Sequence, residues 1–508
     1  MLSKVKCVAF QGLQVVEVDV EANISNRGIP SFDIVGLPNK SIEESKHRIK
    51  SAFINSGYDF PAAKITVNLA PADIHKIGSA YDLPIAVAIF CAQNQIYSID
   101  RRFFFGELSL DGMIRNTRGA YLAVDYVNSV TGSLFVSAES AVYLSTFGSF
   151  SLFPSRTLKE VFAHLKGNIL IKKVALVPGE ICTNGGITSN KDYDILFNDV
   201  IGQESAKRAL EISACGGHNL MLVGSPGTGK SMLAKSIVSI LPGMTPQEVS
   251  EVQKIYSYMG ISITNILQRP FRQPHHTISY AGMLGGGAEP LPGEVTLAHD
   301  GILFMDEFCE FTRNVLEGLR QPMQDGYITL NRNNKTVRFP AAFSLIAASN
   351  PCPCGYLGHP KRPCICSEQK IAVYYKKLSG PLADRFDLFA NAFPEENFVS
   401  KLDRLADSKN LQLCKTKELI ELARLTQQTR LQEFNKVCNA SMTNKEVAMT
   451  CQMSKEAAAL LKNAYTHLNL SPRGYYKVIK VSRTVADLCQ SDIIKEEHIA
   501  EGLQYRLR

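Results

Sequence analysis

The sequence has no hydrophobic run long enough to cross a membrane. Its longest apolar stretch, residues 83–92, is about half the length that a membrane-spanning helix needs. The N-terminal region contains Glu17 and Asp19 and no clean apolar segment of the kind that a signal peptide requires. Low-complexity tracts and repeats at a solenoid period are also lacking. We therefore expect a cytoplasmic protein that does not insert into a membrane.

The sequence also lacks a strong excess of basic or of acidic residues. The 508 residues carry 55 basic and 48 acidic side chains, a net charge of +7, which is too small to indicate nucleic-acid binding by itself. The composition, with 45% hydrophobic and 20% charged residues, is that of a globular protein that buries real cores. At roughly 100–200 residues per domain, this length predicts two to four domains.

Disulfides are not expected, because the 13 cysteines stand in a chain that lacks an export signal. Four of them fall within fifteen residues as two C-x-C pairs: Cys352, Cys354, Cys364 and Cys366. Thiolates bind Zn²⁺ tetrahedrally, and glycines within residues 352–366 would let this segment fold around one ion. We expect structural zinc here, with His359 as an alternative ligand. Free reduced cysteines and a redox role are the competing interpretations.

Residues 1–165 alternate short strand-like and helix-like segments, which is typical of an α+β domain. Helical spacing predicts a helix over 41–56, with Ser41 and Glu44 as a capping box. The apolar run at 83–92 fits either a buried helix or a buried strand. β-Branched residues predict strands over 15–20 and 64–69.

After this first domain the pattern changes three times. Residues 166–195 contain glycine pairs and a polar run, and they are interpreted as a linker. Strands and helices then alternate over 196–392, which is typical of an α/β domain built on a parallel sheet. Residues 393–508 predict a small helical bundle, because helical spacing recurs at 417–434, 455–468 and 473–489.

A glycine-rich loop with a lysine lies between a short apolar strand and a helix. Glycines allow backbone N–H groups to surround phosphate oxygens, and the following helix start favours negative charge. Lys230 would reach the β- and γ-phosphates of a nucleotide, and Ser231 would hold Mg²⁺. A glycine turn with an incidental lysine is the alternative. The loop residues are Gly224, Ser225, Pro226, Gly227, Thr228, Gly229, Lys230 and Ser231.

Two further strands end in polar residues that nucleotide hydrolysis requires. The apolar run 301–305 is followed by Asp306, a candidate Mg²⁺ ligand, and by Glu307, which would polarise the attacking water. A second apolar run ends at Asn350, whose amide could orient the same water. Acids at the start of a solvated helix, and a plain turn asparagine, are the alternative interpretations.

Three motifs in this order and spacing resemble the AAA+ ATPases, most closely their magnesium-chelatase-like branch and its competence-related members. The resemblance covers nearly the whole chain. It implies an α/β AAA+ core over 196–392, a helical lid over 393–508, ATP and Mg²⁺ as cofactors, and a homo-oligomeric ring, expected to be a hexamer. Five further stretches carry it: 268–279 (QRPFRQPHHTIS), 285–287 (GGG), 320–323 (RQPM), 350–355 (NPCPCG) and 380–387 (GPLADRFD).

The resemblance also assigns residues that spacing alone cannot. Arg385 is similar to the arginine finger that reaches the γ-phosphate held by a neighbouring subunit. Arg473 is similar to the sensor-2 arginine of the helical lid. Residues 199–203, which include Val200 and Ile201, resemble the segment that flanks adenine. A salt bridge on a helix face is the alternative for each arginine.

Residues 1–165 resemble the Lon-protease-like fold, which is related to a ribosomal protein. Loop 76–83 corresponds to the loop that carries the nucleophilic serine, but Ala80 stands at that position and Ser79 is next to it. Tyr121 stands near the position of the lysine. A Ser–Lys mechanism needs both groups within hydrogen-bond reach. We therefore expect a binding or assembly module, for single-stranded DNA or for the ring itself.

Local clusters of basic residues are candidate DNA contacts. The best of them is a predicted hairpin over 327–339, which in related ring ATPases projects into the central pore. Segment 269–279 is expected to be an inserted element on the pore side, and a metal role for its His275–His276 pair is disfavoured. Solvated faces are the alternative throughout. The hairpin residues are Arg332, Lys335 and Arg338; a second stretch holds Lys361, Arg362, Lys370, Lys376 and Lys377, and a third Arg473, Lys477, Lys480 and Arg483.

The leading hypothesis is a ring-forming, Mg²⁺-dependent ATPase that moves on single-stranded and branched DNA. By resemblance, it would promote branch migration during recombination of transforming DNA. A magnesium-chelatase motor subunit is the first alternative, although the N-terminal domain and the cysteine-rich segment argue against it. An ATP-dependent protease is disfavoured because the Ser–Lys pair is missing, and a non-catalytic scaffold because the ATPase set is complete.

Overall fold

The computed structural model describes residues 1–37, 39–74, 76–96, 100–145, 151–174, 195–261, 267–287, 290–332, 335–359, 361–376, 380–393 and 409–506. The chain forms two units: Met1–Gly186 with Val249–Thr264, and Ile187–Glu248 with Asn265–Arg508. No helix within the described ranges is both long and apolar enough to cross a membrane. Most of the predicted linker 166–195 lies outside the described residues, but Val174 N still bonds to Leu152 O in the first unit (3.0 Å).

The first unit is built on a seven-stranded mixed sheet, in the order β3-β4-β2-β1-β5-β8-β9. Its strands are β1 (Leu2–Gln11), β2 (Gln14–Ser25), β3 (Ser31–Val35), β4 (Lys64–Ala70), β5 (Arg102–Phe104), β6 (Glu107–Leu108), β7 (Ile114–Arg115), β8 (Ser133–Ser137) and β9 (Leu152–Ser155). Its helices are α1 (Lys40–Asn55), α2 (Asp82–Asn94), α3 (Ala120–Ser129), α4 (Ala138–Ser145) and α5 (Leu158–Leu165). Strands β6 and β7 form a separate pair.

The apolar run at 83–92 is a helix. Every residue of α2 from Asp82 to Ala92 is buried, which explains why the run has no polar face and gave no periodicity. The predicted strands at 15–20 and 64–69 are confirmed as parts of β2 and β4. The predicted helix is confirmed as α1, but its capping box was wrong. Asn39 is the N-cap and accepts from Ile42 N, while Ser41 Oγ donates to Asn39 Oδ1 (2.7 Å).

The loop that resembles the serine loop of Lon is organised around a buried ion pair. Asp82 accepts from Arg48 Nε (2.7 Å) and Nη2 (3.1 Å) and from Leu108 N (3.3 Å). Ala80 is buried, and Ser79 Oγ donates to Glu107, a carboxylate. These contacts give the loop a structural role, and the loss of protease chemistry stays a prediction.

The second unit is an α/β layer with a helical C-terminal part. The five strands of its main sheet are all parallel, in the order β11-β14-β17-β10-β18. The strands are β10 (Leu220–Gly224), β11 (Phe271–Arg272), β12 (Gly285–Gly286), β13 (Leu291–Pro292), β14 (Ile302–Met305), β15 (Tyr327–Arg332), β16 (Lys335–Pro340), β17 (Ser344–Ser349) and β18 (Leu388–Ala392).

The helices of the second unit follow the predicted pattern. They are α6 (Glu204–Gly216), α7 (Lys230–Ser236), α8 (Pro246–Met259, whose residues from Val249 belong to the first unit), α9 (Tyr280–Leu284), α10 (Glu294–Leu297), α11 (Arg313–Gly318), α12 (Arg320–Asp325), α13 (Glu368–Lys376), α14 (Gly380–Ala383), α15 (Lys409–Leu431), α16 (Asn444–Thr450), α17 (Lys455–His467), α18 (Pro472–Leu488) and α19 (Glu496–Gln504). The three predicted C-terminal helices are confirmed as α15, α17 and α18, and α15 begins earlier than predicted.

A buried ionic cluster joins α15 to α18. Asp487 accepts from Arg430 Nη2 (2.6 Å), Arg483 Nε (3.0 Å) and Asn439 Nδ2 (2.8 Å). Arg483 also donates to Asp492 O (2.7 Å) and is 1% exposed. The hypothesis that Arg483 lies on a DNA-binding surface is therefore wrong, because a buried guanidinium held by a carboxylate cannot reach phosphates.

We predict that Asp487→Asn will lower the free energy of unfolding of the C-terminal helices by about 3–5 kcal/mol, since the buried guanidinium of Arg483 and the partly buried one of Arg430 lose their counter-charge. Native-state hydrogen exchange of residues 409–506 in increasing urea measures this change. Asp492→Asn is the control: it removes the same charge from an exposed side chain, and Asp492 joins the cluster only through its backbone oxygen. It should change the free energy by less than about 0.5 kcal/mol; equal effects of the two variants would refute the prediction.

Candidate active site

The parallel sheet brings the polar strand ends to one edge. Strand β10 pairs in register with β17, and β17 with β14, so that their carboxyl ends lie side by side. Gly224 ends β10, Asp306 and Glu307 follow β14, and Asn350 follows β17. This edge of an open α/β sheet is where such folds bind ligands.

The phosphate-binding loop, residues 224–231, is held in shape by hydrogen bonds between its own residues. Gly227 and Gly229 have φ angles of +81° and +82°, a left-handed conformation that favours glycine. Lys230 Nζ donates to Gly224 O (2.7 Å), Ser225 O (2.9 Å) and Asn350 Oδ1 (3.2 Å). Burial lowers the pKa of Lys230. Lys230, predicted in the loop that follows one strand, and Asn350, predicted at the end of another, are in direct contact.

The predicted Mg²⁺ ligands also meet. Ser231 Oγ donates to Asp306 Oδ2 (2.6 Å), and the other Asp306 oxygen accepts from Glu307 N (2.9 Å). Two neighbouring oxygen ligands suit Mg²⁺, which binds oxygens at about 2.0–2.1 Å and keeps several waters. The donor set therefore fits the ion that the motif implies.

Glu307 is held in an unusual backbone conformation beside a histidine. Its φ is +50°, and its side chain is 57% exposed, with Oε2 3.4 Å from His276 Nδ1. The ring of His276 lies against that of His275, with centroids 4.2 Å apart and the planes tilted by 33°. Sequence reasoning placed the two histidines in an inserted element on the pore side, disfavoured a metal role for them, and did not connect them with Glu307. The adjacency of β11 and β14, which brings them together, was not visible in the spacing.

The segment expected to flank adenine lies beside the phosphate-binding loop. Val200 is buried with Phe197 in the core of the second unit, and Ile201 is half-buried. Gln203 Nε2 donates to Thr228 O at 3.4 Å. Residues 199–203 are therefore placed where they could cover one side of a nucleotide whose phosphates occupy the loop.

Arg385 and Arg473 lie at the opposite edge of the sheet. Asn219, at the amino end of β10, donates through Nδ2 to Arg385 O (3.0 Å). Both arginines line a cavity of about 690 Å³ with Asn219 and with Ser344, which begins β17. Because β10 has 5 residues, roughly 15 Å separates this edge from the phosphate-binding loop. Neither arginine is placed beside the Lys230 of its own chain.

A buried carboxylate holds the segment that carries Arg385. Asp387 lies 3.4 Å from Lys477 Nζ and 3.6 Å from His218 Nδ1. Burial alone would raise the pKa of Asp387, but Lys477 and His218 together hold it well below its usual range. Lys480 Nζ donates to Ala440 O (3.1 Å). Lys477 and Lys480 therefore bond within the protein, and their assignment to a DNA-binding stretch was wrong.

Arg269 was expected on the pore side and is instead an anchor. Its Nη1 and Nη2 donate to the two oxygens of Glu248 (2.9 Å each), and it also bonds to the backbone oxygens of Pro242 and Asp300. Side-chain exposure is 11% for both partners. Such a bidentate, enclosed pair positions a backbone rather than meeting a ligand.

The predicted hairpin is present as β15 and β16, with Arg332 opposite Lys335 at its end. The side chains of Arg332 and Lys335 lie outside the described part of the chain. Arg338 is exposed, and its guanidinium carbon lies 3.2 Å from the ring centroid of Tyr327. In the second basic stretch, Lys361, Arg362 and Lys370 are exposed, whereas the Lys376 side chain and Lys377 are not described.

The four clustered cysteines converge. Cys352 Sγ lies 3.4 Å from Cys354 Sγ, and both lie 3.6 Å from Cys364 Sγ. Cys366 completes a group whose sulfur atoms all lie within 4.8 Å of one another. Backbone N–H groups of Tyr356 and Ile365 lower the pKa of Cys354 to about 6. His359 is not a member of this group; its Nδ1 accepts from Lys361 N and Arg362 N.

Comparison with known proteins identifies the family to which this chain belongs. The family "Subunit ChlI of Mg-chelatase" matches residues 20–139, "Magnesium chelatase, subunit ChlI" matches 196–398, and its C-terminal family matches 414–506. Competence protein ComM of Haemophilus influenzae is 38% identical over 98% of this chain and 96% of its own length. The chain belongs to the ComM/YifB family of magnesium-chelatase-like AAA+ proteins. The uncharacterized protein YifB of Escherichia coli is likewise 38% identical over 99% of this chain and 97% of YifB.

The chelatase subunits themselves are more distant relatives. The magnesium-chelatase 38 kDa subunit of Rhodobacter capsulatus is 25% identical over 30% of this chain and half of its own length. The family assignment made from the motifs is thus confirmed. Membership in the ComM/YifB family extends over both units, whereas similarity to the chelatase subunit covers a part of the chain.

Proposed function

We propose that this protein is a ring-forming, Mg²⁺-dependent ATPase that acts as a DNA motor and promotes branch migration during recombination of transforming DNA. Single-stranded and branched DNA are the proposed partners, a homo-hexamer the proposed assembly, and the cytoplasm the proposed location. The proposal includes zinc at the four cysteines. The same polypeptide supplies both the nucleotide site and the arginines that complete the site of its neighbour.

The separation of Lys230 from Arg385 is the observation that carries this proposal. Hydrolysis needs positive charge at the γ-phosphate as well as the phosphate-binding loop. Arg385 and Arg473 line the same cavity and so present their charge together; burial and the neighbouring cation of Arg473 lower the pKa of Arg385. Since they lie at the other edge of the sheet, a second copy packed head-to-tail would bring that edge to the first nucleotide. Repetition of one heterologous contact forms a ring when its rotation closes, as we propose here.

Within the site each residue has a separate task. Lys230 exchanges its bonds to Gly224 O and Ser225 O for bonds to phosphate oxygens. Ser231 and Asp306 hold Mg²⁺, which neutralises charge on the phosphates when bound. Glu307 accepts a proton from the attacking water. Asn350, which contacts Lys230, orients that water.

DNA as the partner is supported by kinship and by the hairpin. A relative that matches this chain over nearly its whole length is a competence protein, whereas the chelatase subunit of Rhodobacter capsulatus matches 30% of this chain. The hairpin β15–β16 carries three basic residues without an acid between them. Such a group contacts phosphates with little sequence preference.

We predict that Glu307→Gln will retain ATP binding but lower the hydrolysis rate by about 10²–10⁴-fold, because the water loses its base. Phosphate release and equilibrium nucleotide binding measure the two effects. Glu310→Gln is the matched control, since Glu310 is an exposed acid three positions further along the same turn. Unchanged turnover by Glu307→Gln would remove Glu307 from the mechanism.

Mixing two inactive variants tests the shared site. Arg385→Ala and Glu307→Gln should each be inactive alone. Mixed rings should recover up to roughly a quarter of the wild-type rate, since random neighbours pair an intact Glu307 with an intact Arg385. Mixing either variant with itself is the control. If mixing restores nothing while rings still form, Arg385 does not act on a neighbouring site.

The hairpin assignment predicts a change in salt dependence. Replacing Arg332, Lys335 and Arg338 by Ala should weaken binding of single-stranded and four-way-junction DNA, and should reduce the slope of log affinity against log salt by about 2. DNA-stimulated ATP hydrolysis should fall with it. Lys445, Lys455 and Lys462, exposed on the C-terminal helices, provide a triple-Ala control of equal charge. Equal slopes for the two triple variants would contradict a role of the hairpin.

A further inference from the structure

The sulfur atoms of the cysteine loop, residues 352–366, already have the spacing of metal ligands. Zinc binds thiolates at about 2.3 Å in a tetrahedron, which places the sulfurs about 3.8 Å apart. The three recorded separations are 3.4, 3.6 and 3.6 Å. Cys352 is fully buried and the other three are half-buried, so the cluster is closed and offers no evident open position for chemistry.

The cysteine loop packs against the phosphate-binding loop. Gly355 has a φ of +82°, and a Cβ added to it would lie 2.5 Å from Pro226 Cδ and 2.7 Å from Pro226 Cγ. Its N–H bonds to Cys352 O (2.9 Å), which fixes the turn between the first two cysteines. The backbone of the cysteine loop is therefore in contact with the ring of Pro226, within the loop that receives the phosphates.

The cysteine loop is also linked to Lys230, through Asn350. The cysteine loop begins two residues after Asn350, whose Oδ1 accepts from Lys230 Nζ (3.2 Å). The same absent Cβ of Gly355 would lie 3.9 Å from Asn350 Cγ. Pro226, Asn350 and Gly355 thus form one packed group between the cysteines and the phosphate-binding loop.

Apart from the sulfur atoms, local contacts hold the cysteine loop, such as the hydrogen bonds from Gly355 N to Cys352 O and from Arg362 Nη1 to the Tyr356 hydroxyl. Within the described residues between β17 and α13, it contains turns and no helix or strand. In small sites of this kind the metal supplies the folding free energy, and its removal releases the loop. A released loop would no longer support Pro226 or restrict Asn350.

We propose that zinc in the cysteine loop sets the conformation of the phosphate-binding loop, so that ATP affinity depends on zinc occupancy. The inference rests on the proposed ATPase function and adds a control element to it. By linkage, bound nucleotide must also tighten the hold on zinc by the same factor. The metal is a positioning element and takes no part in hydrolysis.

Two glycines of the cysteine loop allow a matched test that leaves all four thiols in place. Gly355 and Gly358 both have positive φ, +82° and +76°, but nothing lies within 4 Å of a Cβ added at Gly358. Gly355→Ala should keep one zinc per chain and weaken ATP binding by about ten-fold. Gly358→Ala carries similar backbone strain and should keep both zinc and wild-type affinity.

Metal removal tests the same link without mutation. Wild-type protein treated with a zinc chelator should bind ATP about ten-fold more weakly, and added Zn²⁺ should restore the affinity. Zinc content is measured by elemental analysis, and ATP binding by titration with a non-hydrolysed analogue in the absence of DNA. Cys489→Ser, which alters an exposed cysteine outside the loop, should behave as wild type in both measurements.

The possible failures can be told apart. Purified protein without zinc, equal ATP affinity with and without zinc, or equal affinity of the two glycine variants would each overturn this inference and leave the ATPase proposal intact. If the wild-type protein binds no ATP at all, both fall. Lack of DNA stimulation bears only on the proposed motor function.

Discussion

Parallel pairing of β10, β17 and β14 is the constraint on which the nucleotide site depends. Each strand ends in a residue of different chemistry, and the hydrogen-bonded register fixes how far each side chain stands from the next. A slip of one residue would turn every side chain to the other face of the sheet. Residues 345–348 are apolar and fully buried, so such a slip would also draw the polar end of β17 toward the buried core, which is unfavourable. The contacts of Lys230 with Asn350 and of Ser231 with Asp306 are therefore consequences of a hydrophobic arrangement.

The same sheet explains why one chain supplies incomplete chemistry. The length of its strands separates Lys230 from Arg385, and Asp387, which accepts from Asn219 N and lies close to Lys477 and His218, fixes Arg385 at the amino edge. A flexible arginine could fold back to its own nucleotide, but an arginine whose backbone is bonded to Asn219 cannot. In the proposed ring, the far edge of one subunit would stand next to the near edge of another, so that Arg385 would reach the nucleotide of its neighbour.

The sequence predicted the site better than the surfaces around it. Lys230, Asp306 and Asn350 each follow a short apolar strand, and strands of one parallel sheet end at a common edge. The roles of Arg269 and Lys477 could not be predicted, because the sequence does not show which acidic residue pairs with a given basic residue. Glu248 and Asp387 neutralise them from distant positions. His276 was missed for a related reason, since its proximity to Glu307 arises from pairing between β11 and β14.

The phosphate-binding loop illustrates how a binding loop can be ordered and still exchange its ligand. Large buried side chains would fix the loop permanently, but its middle is formed by glycines with open space around Gly227 and Gly229. Order comes instead from polar bonds of Lys230 to the loop carbonyls, which phosphate oxygens can replace one by one. Each such bond, made by a charged donor, contributes only about 1.5–3 kcal/mol. A loop held in this way needs a firm neighbour, and at Pro226 that neighbour is Gly355 of the cysteine loop.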